Sequence, residues 1–202
     1  MSSPRRSRDE RPRTLAVLPV KRFAAAKARL GDELSAGTRR ALAEAMLTDV
    51  VMALRRTAAV DEVVLVTSDA AAEAIGVGYG ATVIADGDAD GQSAAASIGV
   101  AHALRSGAER VVLVPGDCPA LDPAQLGELL AAAVDAPSVT IVPDRHGSGT
   151  NALVLLPPDI VEPAFGDDSR TRHEHAAAAA GVPCAVAEVP TLLVDVDTGE
   201  DL

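Results

Sequence analysis

The chain has 202 residues, 48% of them apolar, and a formal net charge of −11. That length holds one domain with a sizeable core rather than two. So acidic a body repels a phosphate backbone, and an aromatic set of only Phe23, Tyr79 and Phe165 offers no stacking platform, which excludes nucleic acid as a partner.

Residues 1–12 carry most of the early arginines, Arg5, Arg6, Arg8 and Arg11, and are expected to form a disordered basic tail. The domain itself is placed over residues 13–202. From there, β-branched apolar runs alternate with Ala-rich helical patterns. Thr14–Val20 predicts a strand. Ser35–Thr57 predicts a helix, with Leu42, Met46, Val50 and Leu54 spaced on one stripe. Strands are predicted over Glu62–Thr67 and Ala81–Ala85, with a short helix, Ala70–Ile75, between them. A helix over Ala94–Ser106 and a strand over Arg110–Pro115 follow. Pro123–Val134 reads as a helix with proline in its first turn, where the missing N–H costs nothing. Two strands, Ser138–Val142 and Ala152–Leu156, precede a helix over Arg170–Ala180, for which Ser169 is the expected N-cap. Cys184–Val189 and Leu192–Val194 read as extended. This alternation predicts an α/β domain on a mostly parallel sheet with helices on both faces.

In such sheets ligands gather at the carboxyl ends of the strands, so the loops there carry the chemistry. After the first strand come Pro19, Lys21 and Lys27, ammonium groups suited to a triphosphate. Ser68 and Asp69 follow the second strand, as turn and cap residues or as partners of a base or ribose. Gly91 and Ser93, before the next helix, suit an anion or a base edge. Gly116-Asp117-Cys118-Pro119 delivers a carboxylate to the sheet edge, placed as a magnesium ligand should be, with a glycine that admits close approach. The loop from Val142 to Asn151, which includes Thr150, is a plausible wall for a small polar substrate. Gly166, Ser169 and the arginines Arg170 and Arg172, at a helix start, suit a phosphate. Asp195 and Asp197 alternate along an extended segment and so share a face, where a cation between them would relieve their repulsion. With Asp117 they form a candidate magnesium cage.

Leu18-Pro-Val-Lys21 with Ala26-Lys-Ala-Arg-Leu30, Gly116-Asp-Cys-Pro119, Gly149-Thr-Asn151, Phe165-Gly-Asp-Asp-Ser169 with His173, and Asp195-Val-Asp-Thr198 occur in this order. Together they resemble the phosphoenolpyruvate/2-phospho-L-lactate guanylyltransferases of coenzyme F(420) biosynthesis, over about Thr14 to Leu202. The resemblance implies a single nucleotidyltransferase-like, Rossmann-like domain, GTP as donor, pyrophosphate as leaving group and a small phosphorylated three-carbon acid as acceptor. It further implies that Thr150, Gly166 and Ser169, with His173, hold the acceptor. Lys21 and Lys27 would then hold the triphosphate, Lys27 also stabilising developing charge, and Asp117, Asp195 and Asp197 would ligate magnesium. Where similar enzymes often show Gly-Leu-Asn, this chain has Gly91-Gln92-Ser93.

Two cysteines far apart, Cys118 and Cys184, and no stretch long enough to cross a bilayer lead to the expectation of a reduced, cytoplasmic protein without membrane contact. A homo-oligomer or a downstream biosynthetic enzyme remains as a further partner. Rival readings are a related nucleotidyltransferase acting on a sugar phosphate or a molybdopterin-type acceptor, and a non-catalytic nucleotide-binding domain. A dinucleotide oxidoreductase is disfavoured, since no Gly-x-Gly-x-x-Gly follows the first strand.

Overall fold

The computed structural model describes residues 11–23, 34–87 and 89–193. Its elements run β1 (Thr14–Pro19), α1 (Ala36–Arg56), β2 (Glu62–Val66), α2 (Ala70–Gly78), β3 (Thr82–Ile84), α3 (Gly91–Arg105), β4 (Arg110–Leu113), α4 (Pro123–Ala132), β5 (Ser138–Val142), β6 (Ala152–Leu156), α5 (Ser169–Ala180) and β7 (Cys184–Val186). A single 3₁₀ turn, Pro190–Leu192, follows.

The strands form one sheet in the order β3-β2-β1-β4-β6-β5-β7. All pairings are parallel except those of β6, which runs antiparallel to both β4 and β5. β1 has β2 on one side and β4 on the other. The chain therefore winds outward through β2 and β3, then returns to the far side of β1. The crevice between the ends of β1 and β4 is the point where strand order reverses, the usual ligand position in sheets of this kind.

The inner strands β1, β2, β4 and β6 are nearly continuous apolar runs because both faces are covered, whereas the edge strands β3 and β7 are largely exposed. Side chains alternate: Ala16 and Leu18 of β1, and Val63 and Leu65 of β2, pack with Met46, Leu47, Val50 and Leu54 of α1. Leu15, Val17, Val64 and Val66 pack on the other face with Ala95, Ala96 and Val100 of α3. Gly99 lets α3 lie close to the sheet, since a Cβ there would overlap Val17 Cγ1 and sit 3.2 Å from Val66 Cγ2. The predicted stripe on α1 is the buried one, with Met46, Val50 and Leu54 inside the core and Leu42 at its margin.

Four details differ from the sequence expectation. α3 begins at Gly91 rather than Ala94, so Gly91 and Ser93 belong to its first turn. Asp168, not Ser169, is the N-cap of α5; its φ of 50° turns the chain, and Ser169 becomes the first helical residue. β7 ends at Val186, and the stretch expected to be extended from Leu192 contributes that residue to the 3₁₀ turn instead. Proline at the start of that turn favours a bend over a strand.

Candidate active site

At the reversal point, β1 runs out through Val20 to the exposed Lys21. β4 continues through Val114, whose N–H reaches Val17 O at 3.0 Å, to Gly116 and the half-buried Asp117. The two loops lie against each other. A Cβ on Gly116 would stand 3.2 Å from Val20 Cγ2 and 3.3 Å from Leu47 Cδ1, so a larger residue there would have to push these two side chains aside by a few tenths of an ångström. A lysine and a carboxylate thus leave the sheet side by side. Lys27, Asp195 and Asp197 lie outside the described residues, which end at Leu193. Asn151 Nδ2 donates to Leu192 O at 2.7 Å, so the described chain ends beside the start of β6.

Because β6 is reversed, its first residues rather than its last meet the ligand edge. Thr150 is held there by a tight loop. Asp144 Oδ1 accepts from the N–H groups of Ser148 and Gly149, each at 3.0 Å. A Cβ at Gly149 would come within 2.6 Å of Asp144 Oδ2. Ser148 O in turn accepts from Arg170 N–H at 3.0 Å, which docks the loop on the first turn of α5.

The four residues implied for the acceptor come together. Ser169 Oγ donates to Thr150 Oγ1 at 3.1 Å, and Ser169 N–H donates to Gly166 O at 3.1 Å. His173 Nδ1 lies 3.1 Å from Thr150 Oγ1, and its Nε2 accepts from Ala164 N–H at 2.9 Å. The ring is fully buried, edge-on to Phe165 with centroids 5.5 Å apart. His173 therefore lies behind Thr150, with both ring nitrogens engaged. Burial, aided by the charge of Arg172, pushes its pKa down to about 4, so the ring is neutral at physiological pH.

The arginines near α5 also brace the turns around the site. Arg172 donates to the carbonyls of Ala164 and Phe165, and Arg170 to Gly147 O and Glu174. Ser93 is likewise engaged: its Oγ accepts from Phe165 N–H at 2.9 Å, tying α3 to the 164–166 turn.

On the other side of β1, Asp69 caps α2, accepting from Ala71 N–H at 2.9 Å and Ala72 N–H at 3.2 Å. Its second oxygen accepts from Phe23 N–H at 2.9 Å, two residues beyond Lys21. Burial works against the carboxylate, but the N–H donors of Phe23, Ala72 and Ala71 outweigh it and hold its pKa below the usual range. Asp69 thus anchors the loop after β1 as well as capping α2. Ser68 hydrogen-bonds Asp86 Oδ1, which bridges the ends of β2 and β3. The sequence assigned no individual role to Asp86, Asp144 or Asn151. The signal for Asp144 was present, an aspartate opening a glycine-rich turn, the usual setting for a side chain that binds backbone N–H groups ahead of it. Among the described residues no three His, Cys, Asp or Glu side chains cluster as a metal site.

The family model described as "Guanylyl transferase CofC like" matches residues 14–202. The chain belongs to the CofC-like guanylyl transferase family. Among its relatives is a phosphoenolpyruvate guanylyltransferase of Conexibacter woesei, 51% identical over 190 residues that cover 94% of this chain and 85% of that one. Another, from Sphaerobacter thermophilus, is 36% identical over 94% of this chain and 90% of its own. Of solved structures, a putative nucleotide-diphospho-sugar transferase from Desulfovibrio desulfuricans aligns with a TM-score of 0.70 at 19% identity, over 92% of this chain and 82% of that one. A 4-diphosphocytidyl-2C-methyl-D-erythritol synthase aligns with a TM-score of 0.67 at 16% identity, over 94% and 95%. These two share the fold of this CofC-like chain, an α/β nucleotidyltransferase sheet.

Proposed function

We infer that the chain transfers GMP from GTP to phosphoenolpyruvate, or to 2-phospho-L-lactate, releasing pyrophosphate, as a step of coenzyme F(420) biosynthesis. One observation carries the reading: in a CofC-like chain, Thr150, Ser169 and Gly166 are joined by hydrogen bonds on the same sheet edge as Lys21 and Asp117. An anion-binding corner therefore stands beside a cation and a carboxylate that leave the sheet together.

In this reading Lys21 and Lys27 hold the triphosphate, Pro19 ends the strand that leads to Lys21, and Thr150, Gly166 and Ser169 hold the acceptor. The acceptor's phosphate oxygen, already ionised near neutral pH, forms a bond to the α-phosphorus while the bond to pyrophosphate breaks in line. No general base is needed, so positioning and charge neutralisation carry the rate. Asp117, with Asp195 and Asp197, supplies the hard oxygen ligands that suit magnesium. When bound, the ion neutralises charge on the phosphate oxygens. Ser68 and Asp86, at the ends of β2 and β3, lie on the nucleoside side of the crevice, near Asp69 and the start of α3 at Gly91 and Ser93. No helix among the described residues is long and apolar enough to cross a membrane, and a cytoplasmic enzyme handling small soluble substrates fits that.

The test is pyrophosphate release from GTP and magnesium with phosphoenolpyruvate, with 2-phospho-L-lactate and without acceptor. Release that depends on one of the two acids is expected and identifies it. Equal release in all three arms, or none with either acid, would overturn the assignment. A sugar phosphate or molybdopterin-type acceptor would then be tried.

A further inference from the structure

We propose that His173 is a positioning residue for the acceptor: it fixes the polarity of the Thr150–Ser169 hydroxyl pair, so that Thr150 presents a hydrogen rather than a lone pair to the acceptor's anionic group. The proposal rests on the reading of Thr150 as acceptor-binding, and adds a residue and a direction to it.

The argument is one of donors and acceptors. A backbone N–H can only donate, and Ala164 N–H points at His173 Nε2 from 2.9 Å. Nε2 is therefore the unprotonated nitrogen, and the hydrogen of the neutral ring sits on Nδ1. Nδ1–H then donates to Thr150 Oγ1, 3.1 Å away. Ser169 Oγ donates to the same oxygen at 3.1 Å. A hydroxyl oxygen has two lone pairs, and both are now taken. What Thr150 retains toward a ligand is its O–H, a donor with no accepting capacity left. Such a group binds a carboxylate or phosphate oxygen and disfavours an N–H donor or a cation. Phe165, edge-on at 5.5 Å and 74°, packs against the ring and helps hold its orientation. Its complete burial keeps water from competing for either nitrogen. The low pKa agrees with this arrangement, since a protonated ring would set a second N–H against that of Ala164.

The two conservative variants separate the two ring nitrogens. In His173→Asn the amide nitrogen can take the place of Nδ1 and still donate to Thr150. In His173→Gln the amide oxygen can take the place of Nε2, accepting from Ala164 N–H, while Thr150 loses its imidazole donor. With phosphoenolpyruvate-dependent pyrophosphate release as the assay, H173N should hold the KM for phosphoenolpyruvate within about threefold. H173Q should raise it about tenfold or more, as expected for a weakened hydrogen bond to a charged group. The KM for GTP should stay unchanged in both. Thr150→Val should raise the same KM, and combining it with H173Q should add little, because both changes remove one donor. Multiplying effects, or an unchanged phosphoenolpyruvate KM in folded H173Q, overturn the proposal. Nitrogen-15 NMR of the wild-type histidines tests it without any variant. A neutral Nδ1–H tautomer for His173 is expected down to about pH 5, and an Nε2–H tautomer refutes it. Should the wild-type chain release no pyrophosphate with phosphoenolpyruvate while the Nδ1–H tautomer is seen, the functional reading fails and the acceptor role proposed for Thr150 falls with it.

Discussion

Asp117 stands half-buried one residue past a glycine that cannot be enlarged without pushing on Val20 and Leu47. Its backbone follows directly from β4, so Asp117→Ala should leave the chain folded. Turnover should fall by at least about a hundredfold, the scale of losing one preorganised electrostatic group at a reacting phosphate. Activity retained in magnesium would remove Asp117 from the mechanism. His173 gives a second prediction at this scale. Its folded pKa of about 4 lies below the value of 6.5 it would have unfolded. The unfolded chain therefore binds a proton first as pH falls, and the histidine's contribution to stability is intact above about 6.5 and lost progressively down to about 4, roughly 3 kcal/mol in all. The carboxylates whose pKa values are lowered, Asp61 and Asp69, lose their contribution only below the usual carboxylate value of 3.8. Urea unfolding at pH 7.5 and 5 should show this slope in the wild type and a shallower one in His173→Gln. Thr150, Gly166 and Ser169, grouped in the sequence by motif, lie together in the structure, yet the burial of His173 behind them could not be read from the sequence. A histidine one helical turn beyond Ser169 reads as a ligand until its burial is known.

At the scale of elements, strand and helix order was legible because the inner strands β1, β2, β4 and β6 are apolar runs buried on both faces, and α1 shows its core stripe openly. The ends were less legible. Ser169 looks like an N-cap, but the hydroxyl is spent on Thr150 and Asp168 makes the turn. Ser93 looks like a ligand contact, but it ties α3 to Phe165. In each case a tertiary partner took a group that local preference assigns elsewhere, and such partners lie far away in sequence. Asp69 joins two elements, α2 and the loop after β1, and Asp69→Asn separates its two jobs. The amide oxygen can still cap Ala71 and Ala72, while the amide nitrogen faces the Phe23 N–H that the carboxylate accepted. The expected outcome is a loss of about 1 kcal/mol in a thermal melt with a KM for GTP raised severalfold, as the Lys21 loop loses its anchor. Asp69→Ala should cost more stability through the lost cap. An unchanged KM for GTP in Asp69→Asn would show that Phe23 is held by other means.

Across the whole molecule the two edges of the sheet are specialised. The candidate site lies where β1 and β4 end, while the opposite edge is sealed by Arg110, 1% exposed, whose guanidinium donates to Thr14 Oγ1 at 2.9 Å and to the carbonyls of Leu130 and Ala133 at 2.6 and 2.7 Å. Burial, with the nearby charge of Arg11, pushes its pKa down to about 10, yet it stays charged in the physiological range and satisfies the last carbonyls of α4. Arg110→Met should lower unfolding free energy by about 2–4 kcal/mol, because buried carbonyls lose their donor. At a temperature where the variant is folded, kcat and both KM values should match the wild type, which parallel melts and steady-state kinetics can check. Single-strand reversal in the sheet has a different consequence, one for engineering. The ladder fixes Ala152 opposite Val142, so the register of β6 is set before the turn joining it to β5 is specified. Within the turn, residues 145 and 146 can be varied while Asp144, Ser148 and Gly149 keep the contacts that hold Thr150, and a library confined to those two positions would alter the wall beside the proposed acceptor site on an unaltered chassis.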